Sequence, residues 1–153
     1  MNYQTAGRLD DAAVWFNLAV VLAPNNVGFR TLLAGFYSDS HYNLQGGGLD
    51  AIRNIAAEYP NDADIHASLG WALFSTGDFE GAHIELDKAL MLDPTNVRAR
   101  YYTAIDLEYR GDLQGAIADY VYVYQDVPDN SFKDLAAGAL KRLNYSLDPD
   151  KVK

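Results

Sequence analysis

Apolar and polar positions follow a helical period through residues 63–96, and small residues hold fixed places within that pattern. The large apolar residues fall on one stripe at helical spacing: Leu69, Leu73 and Leu86. The small residues stand where two antiparallel helices would bring their backbones together: Gly70, Ala82 and Ala89. Gly77 can end a helix in a left-handed conformation, and Asp78 can cap the next helix. The segment therefore predicts two packed helices, the second of which ends before Pro94.

Prolines mark this unit along the rest of the chain, at spacings of 36, 34 and 34 residues: Pro24, Pro60, Pro94 and Pro128. Each proline is followed by a polar pair that can begin the next helix: Asn25-Asn26, Asn61-Asp62, Thr95-Asn96 and Asp129-Asn130. An internal period of this length predicts a one-dimensional stack of helical units, in which each unit contacts its neighbours.

This pattern resembles the tetratricopeptide repeat, whose order is Trp-x2-Leu-Gly-x2-Tyr, then Ala-x3-Phe, then Pro. His66 stands in the tryptophan place, Leu73 in the tyrosine place and Leu86 in the phenylalanine place. The resemblance implies an all-α fold, a right-handed α-α superhelix of helix-turn-helix repeats with seven or eight helices. It also implies turns near four glycines: Gly7, Gly46, Gly77 and Gly111.

We expect one solenoid domain over residues 1–153, with roughly four and a half units. The predicted divisions are a partial repeat at 1–26, repeats at 27–62, 63–96 and 97–130, a C-terminal capping helix at 131–143 and a polar tail at 144–153. Residues 1–26 match only the second half of a repeat, with a helix from Leu9 to Leu22. We therefore expect a fragment of a longer array, and the alternative is a natural chain that begins with an ordinary cap.

Three local features test the repeat register. The run Gly46-Gly47-Gly48 predicts an irregular turn and not a phosphate loop, because it joins two helices and contains no lysine or arginine. Residues 120–124 alternate β-branched and aromatic side chains as a strand does, but the register places them in a helix. Thr103 stands where the family has leucine, so we expect looser packing there.

The formal net charge of −9 predicts repulsion from nucleic acid and from anionic membranes. The protein or peptide partner is therefore expected to be apolar or basic. The absence of cysteine excludes disulfides, thiolate catalysis and cysteine-based zinc sites. No apolar run reaches transmembrane length and no signal peptide is visible, so we expect a cytoplasmic protein.

Candidate chemistry is sparse. None of the three histidines has a second histidine three or four residues away, as a helical metal pair requires: His41, His66 and His83. Because His66 takes the family's tryptophan place, we expect it to pack or hydrogen-bond. The acidic pairs fall at turns or in the tail, and no Ser-His-Asp arrangement is evident. We predict no enzyme activity, no cofactor and no metal site.

In the tetratricopeptide family the first helices of successive units line a concave groove. The outward faces of two such helices give the candidate partner-binding residues: Trp71, Phe74, Arg98, Tyr101, Tyr102, Ile105, Glu108 and Tyr109. Aromatic residues are enriched among binding hot spots, and we expect Arg98 and Glu108 to fix the partner's direction. Alternatively, Trp71, Phe74 and Tyr101 seal one repeat against the next. The carboxylate clamp of chaperone-binding members is not implied, because only Arg98 is basic at the matching places.

Two main functional hypotheses and one weaker one follow. The first is a non-catalytic protein–protein interaction scaffold that binds a peptide or helix in the concave groove. The second is a structural self-assembly module that forms a homo-oligomer by stacking through its open N-terminal edge. The helix at 9–22 is apolar almost all round, so we expect other helices to pack on two of its sides. Its candidate edge residues are Trp15, Phe16, Leu18 and Leu22. A regulatory arm of an enzyme elsewhere in a longer chain is a third, weaker hypothesis.

Overall fold

The structure, a computed structural model, describes residues 3–125 and 131–146, with side chains from residue 7 onward within those ranges. This part of the chain contains eight α-helices, one short 3-10 helix at Leu44–Gly46 and no strand. The α-helices are α1 (Tyr3–Leu22), α2 (Val27–Ser40), α3 (Gly48–Glu58), α4 (Ala63–Thr76), α5 (Phe79–Leu92), α6 (Val97–Arg110), α7 (Leu113–Gln125) and α8 (Lys133–Arg142). The all-helical prediction and the predicted helix number are confirmed.

The helices pack as successive antiparallel pairs. Helices α2 and α3, α4 and α5, and α6 and α7 form the pairs, while the first helices α2, α4 and α6 also pack on one another in order. The last helix, α8, packs on α7. Each unit therefore buries its apolar stripe against its neighbours, as a stacked repeat requires.

The predicted turn near Gly7 is wrong. Helix α1 runs without interruption from Tyr3 to Leu22, so it begins before the predicted Leu9 and contains Gly7. The physical reason lies in the next residue. Asp78 accepts a hydrogen bond from the Gly81 backbone N–H at 3.0 Å, and Asp112 does the same for Gly115 at 3.0 Å. Gly7 is followed by Arg8, which offers no acceptor to begin a new helix.

The other glycine turns are confirmed. Gly77 and Gly111 have φ values of 91° and 88°, the left-handed conformation that ends α4 and α6. The glycine run forms the irregular turn between α2 and α3. There the chain passes through the 3-10 helix and then through Gly47, whose φ is 127°.

The strand-like run at 120–124 lies inside helix α7, as the repeat register predicted. Tyr120 and Val123 point into the core, with 1% and 0% of their surface exposed. Burial against α6 and α8 therefore outweighs the strand propensity of these residue types.

In each complete unit, one side chain of the first helix contacts both the carbonyl of the preceding proline and a carboxylate of the second helix. In α4, His66 bonds the Pro60 carbonyl through Nε2 at 3.1 Å and the Glu85 carboxylate through Nδ1 at 2.6 Å. In α6, Arg100 donates to the Pro94 carbonyl at 3.0 Å and to Asp119 at 2.6 Å. In α2, the corresponding contacts run from Arg30 to Pro24 and Glu58. The structural role predicted for His66 is confirmed, because it is 2% exposed and bonded on both sides.

Helix α8 presents Ala136, Ala139 and Leu140 to the core and ends at Arg142, and the chain turns at Asn144, whose φ is 57°. The opposite side carries charged residues, as a terminal helix needs. The predicted boundary at Pro128 and most of the predicted polar tail lie outside the described residues.

A candidate interaction groove

The first helices bring a band of aromatic rings together on one face of the stack. Trp71 of α4 stacks on Tyr102 of α6 with ring centroids 4.7 Å apart and an interplanar angle of 3°. Trp71 also stacks on Phe74, one turn along α4, at 5.6 Å. Tyr102 is only 4% exposed, so it joins the repeats and presents little surface to a partner.

Two adjacent pockets open along α6 beside this band. The first, of about 390 Å3, is lined by Asp39, His41, Trp71, Tyr101, Tyr102, Ile105, Ser131, Phe132 and Leu135. The second, of about 370 Å3, is lined by Phe74, Tyr101, Ile105, Glu108, Tyr109, Tyr120 and Arg142. Tyr101 and Ile105 line both pockets, so the two form neighbouring parts of one groove.

Arg98 is paired within the chain. Its Nη1 donates to both carboxylate oxygens of Asp39 at 2.7 Å, and the Tyr102 hydroxyl donates to the same carboxylate at 2.6 Å. Burial lowers the pKa of Arg98, but the attraction and hydrogen bonding of Asp39 outweigh it and the net shift is upward. Burial and the Asp39 carboxylate together raise the pKa of Tyr102.

Glu108 is also paired within the chain. It accepts hydrogen bonds from both terminal nitrogens of Arg142 in α8, and the Tyr120 hydroxyl donates to it at 3.3 Å. Bonding from Arg142 lowers the pKa of Glu108 despite its partial burial. The two charges expected to orient a partner, Arg98 and Glu108, therefore already have opposite charges beside them.

The described residues contain no group of three histidine, aspartate or glutamate side chains placed to hold a metal ion. Within the same ranges, no helix has the length and apolar character needed to cross a membrane. The expected absence of metal, cofactor and enzyme activity stays a prediction.

Comparison with known proteins identifies the repeat. Residues 63–96 match the family described as tetratricopeptide repeat. The structure resembles a thermophilic tetratricopeptide repeat protein of Thermus thermophilus, with a TM-score of 0.68 and 20% identity over 90% of this chain and 76% of that one. Residues 63–96 are therefore similar to a single tetratricopeptide repeat, and the chain has the fold of tetratricopeptide repeat proteins.

Two further structures share the tetratricopeptide superhelix. A tetratricopeptide repeat protein of Parabacteroides merdae gives a TM-score of 0.64 and 18% identity over 92% of this chain and 54% of that one. MamA of Desulfovibrio magneticus, from residue 41 to its end, gives 0.58 and 21% over 78% and 67%. This chain thus spans about half the length of the Parabacteroides merdae protein. The likeness shows the fold, the right-handed superhelix of tetratricopeptide repeat proteins.

The eight residues that the sequence predicts to line the groove differ in how exposed they are. Tyr109 is the most open, at 59% exposure, and Tyr102 is buried. The remaining six are partly buried and line the two pockets or the adjoining surface: Trp71, Phe74, Arg98, Tyr101, Ile105 and Glu108.

Several groove residues escaped the sequence reasoning. Phe79 begins α5 and stacks on Tyr109 at 4.2 Å, while Phe132 comes from the turn before α8 and lies 5.1 Å from Tyr101. His41 and Leu135 also line the first pocket. Asp39 lines it too, and the repeat register does assign Asp39 to the outward face of its helix and so to the groove.

The N-terminal edge carries an exposed apolar face. Helix α1 leaves five large apolar side chains open, with exposures in parentheses: Val14 (64%), Trp15 (70%), Leu18 (39%), Val21 (72%) and Leu22 (75%). Phe16, the fourth predicted edge residue, instead packs on Phe36 of α2 with ring centroids 5.0 Å apart. Three of the four predicted edge residues therefore remain available for a contact.

Proposed function

We propose that this chain is a non-catalytic interaction scaffold that binds a peptide segment or helix of a partner protein in its concave groove. The observation that carries the proposal is the pair of adjacent pockets along α6, which share Tyr101 and Ile105. A segment lying along α6 could place one side chain in each pocket. Partly buried rings offer a large contact area that loses little conformational entropy on binding.

The exposed fractions separate the aromatic residues that can contact a partner from those that pack one repeat against the next. Tyr109 is held only on its Phe74 and Phe79 side and has 59% of its surface open. Its replacement by alanine should weaken peptide binding by about 1–3 kcal/mol with a smaller effect on folding. Tyr102 is enclosed, so Tyr102→Ala should instead lower the free energy of unfolding by about 3–5 kcal/mol.

Selection of peptides from a random displayed library against the full chain tests the groove. Selected peptides should bind the wild type and Met91→Arg equally, because Met91 is 84% exposed on the outer helix α5. They should lose affinity for Tyr109→Arg, whose new charge enters the second pocket. Equal binding to all three proteins, at matched thermal stability, would remove the groove proposal.

The exposed face of α1 supports a second candidate function, self-assembly through the N-terminal edge. An exposed apolar patch of this kind commonly marks an interaction site. Sedimentation over a range of concentrations should show association of the wild type and of Met91→Glu. Trp15→Glu and Leu22→Glu should remain monomeric, and a wild type that is monomeric at every concentration would contradict this candidate.

A further inference from the structure

We propose that the first pocket of the groove, between α4, α6 and the start of α8, receives a basic side chain of the partner, an arginine or a lysine. The inference rests on the proposed peptide-binding function and adds the chemical class of the residue that the pocket selects. It follows from the aromatic ring faces in the pocket, from the carboxylates near it and from Arg98, whose guanidinium already lies against the Phe132 ring.

The lining of the pocket suits a cation on an aliphatic stem. Tyr101 and Phe132 provide aromatic rings, whose faces attract a positive charge, while Trp71 lines the same pocket stacked on Tyr102 and Phe74. Ile105 and Leu135 provide apolar surface for the methylene stem of a lysine or arginine. A long basic side chain could thus bury its stem and keep its charged group near the rings.

The chain itself places a cation against this lining. The Arg98 guanidinium carbon lies 5.6 Å from the centroid of the Phe132 ring, while Arg98 bonds both oxygens of Asp39. The Asp39 side chain remains 43% exposed. The site therefore combines a ring, a carboxylate and a cation in a geometry that a second basic group can join from the open side.

The local charge balance favours a cation over an anion. Asp39 stands between the first pocket and a neighbouring one that also contains Asp64 and Arg98. Asp64 contributes to the attraction on Arg98, and its own hydrogen-bond donor, Asn96, is neutral. Two carboxylates thus flank one guanidinium, on a chain whose formal net charge is −9.

This balance disfavours a partner carboxylate at Arg98. A partner carboxylate would have to displace Asp39 from Arg98 and approach Asp64 at the same time. A basic side chain instead meets Asp39 and the ring faces without breaking an existing pair. Electrostatic attraction would also speed its encounter with the acidic chain.

The test uses short synthetic peptide pools in which one central position is fixed and the flanking positions are randomised. The fixed residue is arginine, lysine, norleucine, phenylalanine or glutamate, and binding to the full chain is measured by fluorescence anisotropy. The arginine and lysine pools should bind the wild type about tenfold more tightly than the norleucine pool. Added salt should reduce that difference.

Three variants locate the preference. Phe132→Leu and Tyr101→Leu keep apolar bulk but remove a ring face, so the preference for arginine and lysine over norleucine should fall. Tyr122→Leu is the matched control, because Tyr122 lies under Arg100 on the outer helix α7 and should leave the preference unchanged. Asp39→Asn should shift the preference toward the glutamate pool, because Arg98 loses its carboxylate. Thermal melting confirms that each variant is folded.

The outcomes separate this inference from the function on which it rests. If norleucine or phenylalanine pools bind as well as the basic pools, and Tyr109→Arg abolishes that binding, the groove stands and basic selection is overturned. If the glutamate pool binds the wild type best, basic selection is overturned in the same way. If no pool binds more tightly to the wild type than to Tyr109→Arg, both proposals fail.

Discussion

The second repeat (α4 and α5) and the third repeat (α6 and α7) bridge their two helices with different side chains. His66 is almost fully buried and contacts its two acceptors through opposite edges of one ring. Arg100 is 29% exposed along its side chain, reaches two acceptors with separate N–H groups, and lies 4.9 Å from the ring of Tyr122. Arginine supplies both donors at any pH, whereas imidazole supplies two only when protonated. What the repeat requires at this position is a side chain that bridges the two helices, and both histidine and arginine meet that requirement.

The two repeats also solve the close approach of their helices differently. A Cβ added at Gly70 would lie 2.7 Å from Cγ of Leu86 and 3.1 Å from the Ala82 carbonyl oxygen. The third repeat has Ala104 in the corresponding place and Tyr120 where the second has Leu86, and both are buried. Equivalent interfaces are therefore filled by glycine with leucine in one repeat and by alanine with tyrosine in the other. The residue at the first position must suit the shape of its particular partner.

The largest expected effect comes from truncating the large partner of each pair. Tyr120→Ala should lower the free energy of unfolding by about 3–5 kcal/mol, and Leu86→Ala by about 2–5 kcal/mol, because each leaves a cavity in a closed interface. Urea denaturation of the full chain measures both. Tyr120→Phe is the control, since it keeps the ring and removes the hydroxyl that donates to Glu108 at 3.3 Å. A cost for Tyr120→Ala no greater than that for Tyr120→Phe would show that the ring does not fill the core.

Removing the bridging cation should have the next largest effect. Arg100→Met should cost about 1.5–3 kcal/mol at neutral pH, because Asp119 loses a charge-assisted hydrogen bond in a site where only 10% of its side chain is exposed. Burial already raises the pKa of Asp119, against the opposing effect of Arg100, so the pKa should rise further in the variant. An ionised group with a raised pKa opposes folding, and the deficit should therefore shrink as pH falls through that pKa.

Urea unfolding at neutral and acidic pH checks this dependence. Arg53→Met is the control, because Arg53 is 49% exposed and pairs with Asp50 at the surface, so its removal should have little effect at either pH. A deficit for Arg100→Met that stays constant across the titration of Asp119 would mean that packing, and not the charge, carries the bridge.

A smaller effect is expected where the helices of the second repeat approach most closely. Gly70→Ala should destabilise the chain by about 1–3 kcal/mol, because its methyl group enters occupied space between α4 and α5. Ala104→Gly is the matched change in the third repeat and should cost about 0.5–1 kcal/mol through backbone entropy. Thermal and urea unfolding compare them. A stabilised Gly70→Ala variant, as helix propensity alone predicts, would mean that the two helices can separate at little cost.

The repeat register predicted most of the fold from residue types. The period of the prolines and the left-handed glycines followed by aspartate gave the turns at Gly77 and Gly111 and kept 120–124 in a helix. The error at Gly7 arose from weighting glycine alone, because Arg8 cannot cap a new helix there. Local chemistry therefore determines where a turn forms within an otherwise regular period.

The groove could be predicted only in part. Helical spacing gives the outward face of α6, but burial separates Tyr102 from Tyr109 through neighbours that come from other units. The partner of Arg98 is Asp39, 59 residues away, and the two side chains come from helices of different units, α6 and α2. Long-range pairing of this kind is not encoded in the spacing of one repeat.

The smallest expected effect has the opposite sign and concerns Thr103, which stands where the second repeat has Leu69. The side chain is 6% exposed, and its hydroxyl oxygen has no hydrogen-bond partner among the described residues. Thr103→Val keeps the branched shape and removes the unpaired hydroxyl, so it should stabilise the chain by about 1 kcal/mol. Thr103→Ser keeps the hydroxyl and removes a buried methyl group, so it should destabilise by about 1 kcal/mol. Urea unfolding of both variants beside the wild type measures the difference. A destabilised Thr103→Val variant would show that the hydroxyl has a partner, such as a bound water, and that the third repeat is packed as completely as the second.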